Sequence, residues 1–261
     1  MSALVGDTLA LTRRWLIHLR RERMMLFFGA LQPIMWLILF GNLFGRMAEG
    51  RTAYFHTESY LTFQTAGVVV MTVLSNAFMG GIPILFDRET GFLDKMLVAP
   101  IARSSLFVSR FLYVVIFSLF QVILVLAIAA FMGVRIGGGL IGVGQILLYS
   151  TLLAASFTMV SIALAFVFKH HAAYFAISGF LITPCIFLSS ALLPLPLMPT
   201  WMQVVAKLNP LTHAIEPVRA AIIAGYASGA AVRMEVHALY LVGFVLLSLG
   251  WGLRVLSRAM D

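Results

Sequence analysis

The feature that most constrains this chain is a series of long apolar stretches that contain no Asp, Glu, Lys or Arg. A helix needs roughly 20 mostly apolar residues to cross about 30 Å of hydrocarbon. Stretches near or above that length cover residues 24–45, 61–86, 111–134, 136–168, 172–206 and 236–253. The chain is also 61% hydrophobic and 11% charged, whereas soluble domains are about 45–50% apolar and 25% charged. We therefore expect one all-α integral membrane domain, residues 1–261, with six transmembrane helices.

Two of these stretches need to be divided. The stretch 136–168 begins with three glycines at 137–139, so its helix is expected to start near Val143. The stretch 172–206 is too long for one span and is interrupted by Pro184, Pro194, Pro196 and Pro199. Because lipid-exposed backbone cannot stay unpaired, we assign 172–193 to the fifth span and 194–212 to short re-entrant helices before the last span. The alternative is one longer, proline-kinked helix.

The basic residues divide unequally between the two sides of such a bundle. Twelve of the 18 Lys and Arg residues lie before span one, between spans two and three, after span four or after span six. Arg219 and Arg233 are among the six on the other side, whereas Arg110 is among the twelve. Since loops rich in Lys and Arg stay in the cytoplasm, both termini are predicted to be cytoplasmic. Cytoplasmic Lys and Arg residues that face anionic lipid also account for the net charge of +8, so no nucleic-acid partner is needed to explain it.

The N-terminal residues 1–23 have two faces on a helical projection. The apolar arc contains Leu11, Trp15, Leu16 and Leu19, and the opposite arc contains Arg13, Arg14, Arg20 and Arg21. This pattern is typical of a helix that lies in the membrane interface. Such a helix is either a plain anchor before span one or a device for gating or for gripping a partner.

The segment 86–105 carries the densest charge cluster in the chain and is predicted to lie in the cytoplasm. Its apolar residues at helical spacing are Phe92, Leu93, Met96 and Leu97. Gly91 permits a bend before this short helix, and Pro100 limits its far end. A short helix with an apolar ridge and charged flanks is suited to a groove on a soluble partner. The alternative is an ordinary solvated loop.

The chain lacks the residue patterns that bond chemistry requires. No charged side chain lies within a predicted span, although ion-coupled carriers usually keep such groups at mid-membrane. The sequence has no phosphate-loop motif for ATP, and its single cysteine, Cys185, belongs to no metal-ligand set. His170 and His171 have no carboxylate in their own loop. We predict no catalytic, cofactor-binding or metal-binding residue, so any chemical energy has to come from another polypeptide.

Two motifs resemble signatures of the type-2 ABC exporter membrane-domain family. The first is Asp87-Arg88-Glu89-Thr90-Gly91-Phe92-Leu93 through Pro100, which is similar to the cytoplasmic signature of that family. The second is similar to the extracytoplasmic signature and comprises Pro199, Trp201, Asn209, Pro210 and Arg219. Within the family the chain looks most like the daunorubicin-type drug-resistance and nodulation lipo-oligosaccharide export permeases.

The resemblance implies a permease subunit of an exporter in the bacterial plasma membrane. Two copies, or this chain and a related one, would form the pore, and a separate ABC ATPase would hold ATP and Mg²⁺. The cargo would be an amphipathic drug, lipid or lipo-oligosaccharide, and the segment from Asp87 would couple the ATPase to the spans. Polar residues inside spans become candidates for the substrate pathway, unless they only bond helix to helix. They are Gln32, Asn42, Gln64, Asn76 and Gln121.

Two other classes of protein stay open. One is a channel or ion-coupled carrier, which the lack of charge within the predicted spans disfavours. The other is a membrane assembly factor that has no ATPase partner.

Overall fold

The computed structural model describes residues 2–21, 23–45, 52–57, 59–91, 103–168, 170–230 and 232–260, and these are mostly helical. The first half contains α1 (Ser2–Arg21), α2 (Arg23–Leu43), α3 (Thr52–Phe55), α4 (Tyr60–Met79), α5 (Ile82–Glu89) and α6 (Arg103–Phe131). The second half contains α7 (Gly139–Val167), α8 (His171–Phe187), a 3-10 turn (Leu195–Leu197), α9 (Thr200–Leu208), α10 (Pro210–Ile222), α11 (Tyr226–Gly229) and α12 (Met234–Met260). No strand occurs among the described residues, which confirms the all-α class.

Several helices are long and apolar enough to cross a membrane. Within the described chain they are the stretches Ala53–Glu89, Phe107–Phe131, Gly139–Val167 and Met234–Arg258. Two shorter apolar helices, Gly29–Leu43 and His171–Phe187, lie at the positions predicted for spans one and five. The structure thus supports a helical membrane bundle, and the count of six spans stays a prediction.

The packing places α4 at the centre of the bundle. It contacts α2, α6, α7 and α10, and its buried side chains include Phe63, Val69 and Leu74. The last helix, α12, packs mainly on α7 and exposes Leu239 and Leu247 on its outer side. An apolar outer face is what a lipid-facing helix requires, because lipid tails are as apolar as leucine.

The second predicted span, 61–86, is two helices rather than one. α4 ends at Met79, and α5 begins at Ile82 after the pair Gly80–Gly81. Glycine is needed at position 81 because a Cβ there would collide with the Ser161 backbone and the Tyr174 hydroxyl. The stretch Ala53–Glu89 is still a candidate membrane span, but its helix is interrupted where α7 and α8 approach closely.

The glycine run 137–139 also differs from the expectation. α7 begins at Gly139 rather than near Val143. The backbone N–H groups of Gly137 and Gly138 donate to the carbonyls of Ile222 and Ala221, at 2.8 and 3.0 Å. The glycines let the start of α7 lie directly against the end of α10, so they serve helix packing rather than delaying the helix.

The predicted fifth span and re-entrant segment have different bounds in the structure. α8 ends at Phe187 rather than at residue 193, and the single proline-kinked helix is absent because non-helical residues follow α8. The predicted segment 194–212 ends inside α10, which continues to Ile222. Asn209 and Pro210 start α10, since proline at the first helical position needs no N–H partner.

Two arginines that charge counting assigned to loops are buried. Arg110 lies within α6 and is 4% exposed, and Arg219 lies within α10 and is fully buried. The expectation that these charges lie in the loops outside the packed bundle is wrong for both. Each lies against an aromatic ring and near carboxylate or carbonyl oxygens.

Candidate coupling and transport sites

The predicted coupling motif begins at the end of α5. The Thr90 hydroxyl donates to the Phe86 carbonyl at 2.9 Å, and the Gly91 N–H donates to the Arg88 carbonyl at 3.1 Å. Gly91 has a φ of +66°, in the left-handed region that glycine occupies at little cost. Gly91 therefore does not continue the helical conformation of α5. Phe92, Leu93, Met96, Leu97 and Pro100 lie outside the described residues.

The charged residues of this motif contact different neighbouring helices. The Asp87 carboxylate lies 3.9 Å from a guanidinium nitrogen of Arg110 on α6. Arg88 donates to the Ala165 carbonyl on α7 at 3.5 Å, and its guanidinium lies over the Phe166 ring. Adjacent side chains at the end of α5 therefore contact two different helices, α6 and α7.

Glu89 contacts a third helix, α8. Its carboxylate oxygen lies 3.0 Å from Nε2 of His171, the first residue of α8. The His171 ring also lies 4.3 Å from the Phe86 ring. Sequence reasoning gave His171 no carboxylate partner, and it missed this pair because Glu89 belongs to another loop.

Arg110 connects the coupling motif to the N-terminal helix. Its guanidinium carbon lies 3.7 Å above the centroid of the Trp15 ring on α1, within the range of a cation–π contact. α1 packs along α6, and Leu11, Trp15 and Leu16 are partly covered whereas Arg13 and Arg14 are exposed. A helix thus occupies Ser2–Arg21 of the predicted segment 1–23, with its described apolar residues toward α6. Its place in the membrane interface stays a prediction.

Three of the predicted pathway residues form contacts between helices. The Gln64 side chain on α4 is fully buried and donates to the Trp36 carbonyl on α2 at 2.8 Å. Asn76 on α4 donates to the side-chain oxygen of Gln121 on α6 at 3.4 Å. This geometry favours helix packing for Gln64, Asn76 and Gln121, the alternative that the sequence left open.

The other two predicted pathway residues lie on α2 and are exposed. Asn42 donates to the Ile38 carbonyl within its own helix at 2.7 Å. Gln32 lines a crevice of about 30 Å³ between α2, α4 and α8, together with Thr72 and Ser75. Gln32 is therefore the candidate that lines a crevice between helices, and Thr72 and Ser75 are the other polar residues of its lining. Sequence reasoning missed these two residues because single hydroxyls are common in helices.

On the opposite, predicted extracytoplasmic, end, Asn209 joins α8 to α10. Its side-chain oxygen accepts from the Leu211 N–H at 2.9 Å, which caps α10. Its side-chain nitrogen donates to the carbonyls of Cys185 and Leu188, both at 2.8 Å. One side chain thus satisfies backbone groups at two helix ends. Pro199 precedes α9, and Trp201 within α9 is exposed, as an interfacial position requires.

Arg219 is the centre of a buried polar cluster. It donates to the Glu216 carboxylate at 2.8 Å, to the Ser190 carbonyl at 2.6 Å and to the Phe63 carbonyl at 3.4 Å. Its guanidinium also lies 3.7 Å from the centroid of the Phe63 ring. The cluster joins α10 to α4 and to the turn after α8.

Tyr226 completes this cluster. Its hydroxyl donates to the second Glu216 oxygen at 2.8 Å, and burial raises the pKa of the phenol to about 12. The hydroxyl therefore stays protonated and keeps donating at neutral pH. The spacing of Glu216 and Arg219 at i and i+3 was a readable signal of this pair, whereas no sequence signal pointed to Tyr226.

Comparison with known proteins fits this geometry. A family model described as ABC-2 type transporter matches residues 7–223, which include both motifs and the buried arginines. The chain belongs to this family. It is therefore a membrane transport permease rather than a catalytic enzyme.

Named relatives agree with the family. The chain is 37% identical to the putative transport permease ycf38 of Cyanophora paradoxa, over 82% of this chain and 73% of the relative. It is 34% identical to the ycf38 protein of Porphyra purpurea, over 83% and 74% of the two chains. It is 27% identical to a daunorubicin resistance ABC transporter permease of Streptomyces coeruleorubidus, over 70% and 63%. The permease thus resembles the daunorubicin-type proteins that its motifs suggested.

Proposed function

We propose that this permease is the membrane-spanning subunit of an ATP-driven exporter. The observation that carries the proposal is the end of α5, where Asp87, Arg88 and Glu89 each contact a different helix. A partner that binds beyond Gly91 would act directly on α6, α7 and α8 through these contacts. Family membership supports an ABC ATPase as that partner.

The proposed division of labour follows from this arrangement. The ATPase holds ATP and Mg²⁺, and this chain carries no cofactor. Two copies, or this chain and a related permease, form the pore in a bacterial plasma membrane, with both termini in the cytoplasm. The permease contributes two conformations that differ in their affinity for substrate. The ATPase drives the change between these conformations, and the difference in affinity makes that change move substrate.

The proposed cargo is an amphipathic drug, lipid or lipo-oligosaccharide. Support comes from the outer face of α2, where Gln32, Met35, Trp36 and Leu39 line a mostly apolar groove of about 430 Å³. Gln32 also lines the adjoining crevice next to α8, where Thr72 and Ser75 add hydroxyl groups to an otherwise apolar lining. A molecule with both an apolar and a polar part matches that combination.

The experiment that tests the function is a substitution in the docking segment. Leu93→Asp would place a carboxylate in the proposed groove on the ATPase, and an unpaired buried carboxylate costs several kcal/mol. We expect the variant to insert normally but to lose both the co-purifying ATPase and ATP-dependent export, whereas the apolar control Leu93→Met keeps both. Full ATPase association and full transport by Leu93→Asp would show that the segment is only a connector.

A further inference from the structure

The break between α4 and α5 leaves backbone groups that need partners inside the bundle. The Phe78 carbonyl belongs to the last turn of α4, and the Gly81 N–H precedes the first turn of α5. Helix ends always leave such groups without partners in their own helix. Because both groups are buried here, other helices have to satisfy them.

Two hydroxyl groups from neighbouring helices fill this role. The Gly81 N–H donates to the Ser161 hydroxyl oxygen on α7 at 2.8 Å. The Tyr174 hydroxyl on α8 donates to the Phe78 carbonyl at 2.6 Å. The two hydroxyl oxygens lie 2.7 Å apart, and the Ser161 oxygen lies 2.9 Å from the Phe78 carbonyl. Phe78, Gly81, Ser161 and Tyr174 are defined here as the hydroxyl knot, and all four residues are buried.

The hydroxyl knot is the main anchor of α8 at this end. Tyr174 and Ser178 are the buried residues of α8, whereas Phe175 and Phe180 are exposed. One turn before Tyr174, His171 contacts Glu89 at the far end of α5. Residues at i and i+3 share a helix face, so one face of α8 contacts the last turn of α4 through Tyr174 and the far end of α5 through His171. Ser161 on α7 joins the two hydroxyls to the Gly81 N–H before α5.

We propose that Tyr174 and Ser161 are positioning residues that make α8 follow the movement of α5 when the ATPase acts on the coupling segment. The proposal rests on the proposed function and names the contacts by which that function reaches α8. α5 has eight residues and is about 12 Å long at 1.5 Å per residue. The Tyr174 hydroxyl lies against Gly81, the residue before α5, and His171 contacts Glu89, the last residue of α5. A tilt of α5 would therefore displace groups that α8 contacts near both ends of this short helix.

A merely structural role would predict a different outcome. Hydroxyls that only satisfy the broken backbone would affect stability and leave the response of α8 unchanged. The deciding readout is therefore the movement of α8 in a complex that still hydrolyses ATP. Tyr149 offers a matched control, because its buried hydroxyl donates to the Met234 carbonyl on α12 at 2.8 Å, away from α5 and α8.

The test uses the purified complex with its ATPase and a fluorescent label at Phe180→Cys in a Cys185→Ser background. The label emission is compared without nucleotide and after trapping with ATP and vanadate. We expect Tyr174→Phe to keep ATPase association and ATP hydrolysis while most of the emission change is lost. Ser161→Ala should act in the same direction, and Tyr149→Phe should leave the emission change intact.

Three results would overturn the proposal. They are an undiminished emission change in Tyr174→Phe, an equal loss in Tyr149→Phe, and no emission change in the unsubstituted complex. Failure of the proposed function is separate, because it would appear as unaltered ATPase association in Leu93→Asp. The two ideas therefore fail in different assays.

Discussion

Glu216→Gln should destabilise this permease more than removal of the whole Glu216–Arg219 pair. Arg219 is fully buried and Glu216 is 7% exposed, so the single substitution leaves a guanidinium charge without its carboxylate. Breaking a buried ion pair from one side costs about 3–5 kcal/mol. The Ser190 and Phe63 carbonyls still accept from Arg219, but they carry no compensating negative charge.

The double variant Glu216→Gln/Arg219→Met removes both charges and keeps similar side-chain volumes. It loses the hydrogen bond to the Ser190 carbonyl, and a hydrogen bond to a charged group is worth about 1.5–3 kcal/mol. Arg219→Met alone leaves Glu216 with only the Tyr226 donor among its described partners, which should also cost about 3 kcal/mol or more. The double variant is thus expected to lose about 2 kcal/mol of unfolding free energy, which is well below the summed losses of the two single variants.

The assay is unfolding of the purified permease in mixed micelles as the denaturing detergent fraction rises. Helical circular dichroism gives the change in free energy of unfolding for each variant. Arg233→Met is the matched control, because Arg233 is an exposed arginine at the same end of the bundle and should stay within about 0.5 kcal/mol. A double variant that loses as much stability as Glu216→Gln alone, or more, would refute the reasoning.

Two further predictions concern Asn209 and the orientation of the chain. Asn209→Ala should lower the free energy of unfolding by about 2 kcal/mol in the same assay, because the cap of α10 and two donor bonds to the end of α8 are lost. Asn209→Asp keeps the cap acceptor and should lose less, so equal losses would contradict the two-sided role. For orientation, a cysteine at Ala230 in a Cys185→Ser background should react with an impermeant thiol reagent on intact cells, and one at Lys95 should not. The opposite labelling pattern would reverse the orientation.

The helical class and the approximate positions of the apolar helices were predictable from the sequence. Charge-free stretches of about 20 residues have few other solutions, because backbone in lipid must bond within its own helix. The sequence also predicted a bend at Gly91, where the backbone has a φ of +66°. These are local properties, and a single stretch of sequence contains all the information they need.

The buried polar clusters were not predictable in this way. Arg219 and the Phe63 carbonyl are 156 positions apart in the chain, and Tyr174 and the Phe78 carbonyl are 96 apart. Charge counting assigns every arginine to a loop, so it could not find Arg110 beneath Trp15. The glycine pair 80–81 is visible in the sequence, but its role depends on the two hydroxyls that approach it from α7 and α8.

The distribution of polar contacts has a mechanical consequence for a permease of this kind. Between the ends, α4 packs on its neighbours largely through apolar side chains such as Val69, Leu74 and Val73. Packing of this kind holds helices by many weak contacts, and such contacts permit small sliding movements at low cost. Charged contacts cluster instead at the Asp87–Glu89 end and around Arg219, and the hydroxyl knot lies at the junction of α4 and α5. Ion pairs and hydrogen bonds have defined partners, so a displacement of one helix moves the helix that it bonds. Apolar side chains can slide past one another, so the same displacement moves their neighbours less. A force applied beyond Gly91 would therefore reach α6, α7 and α8 as a set, while the apolar middle of the bundle adjusts around the moving helices.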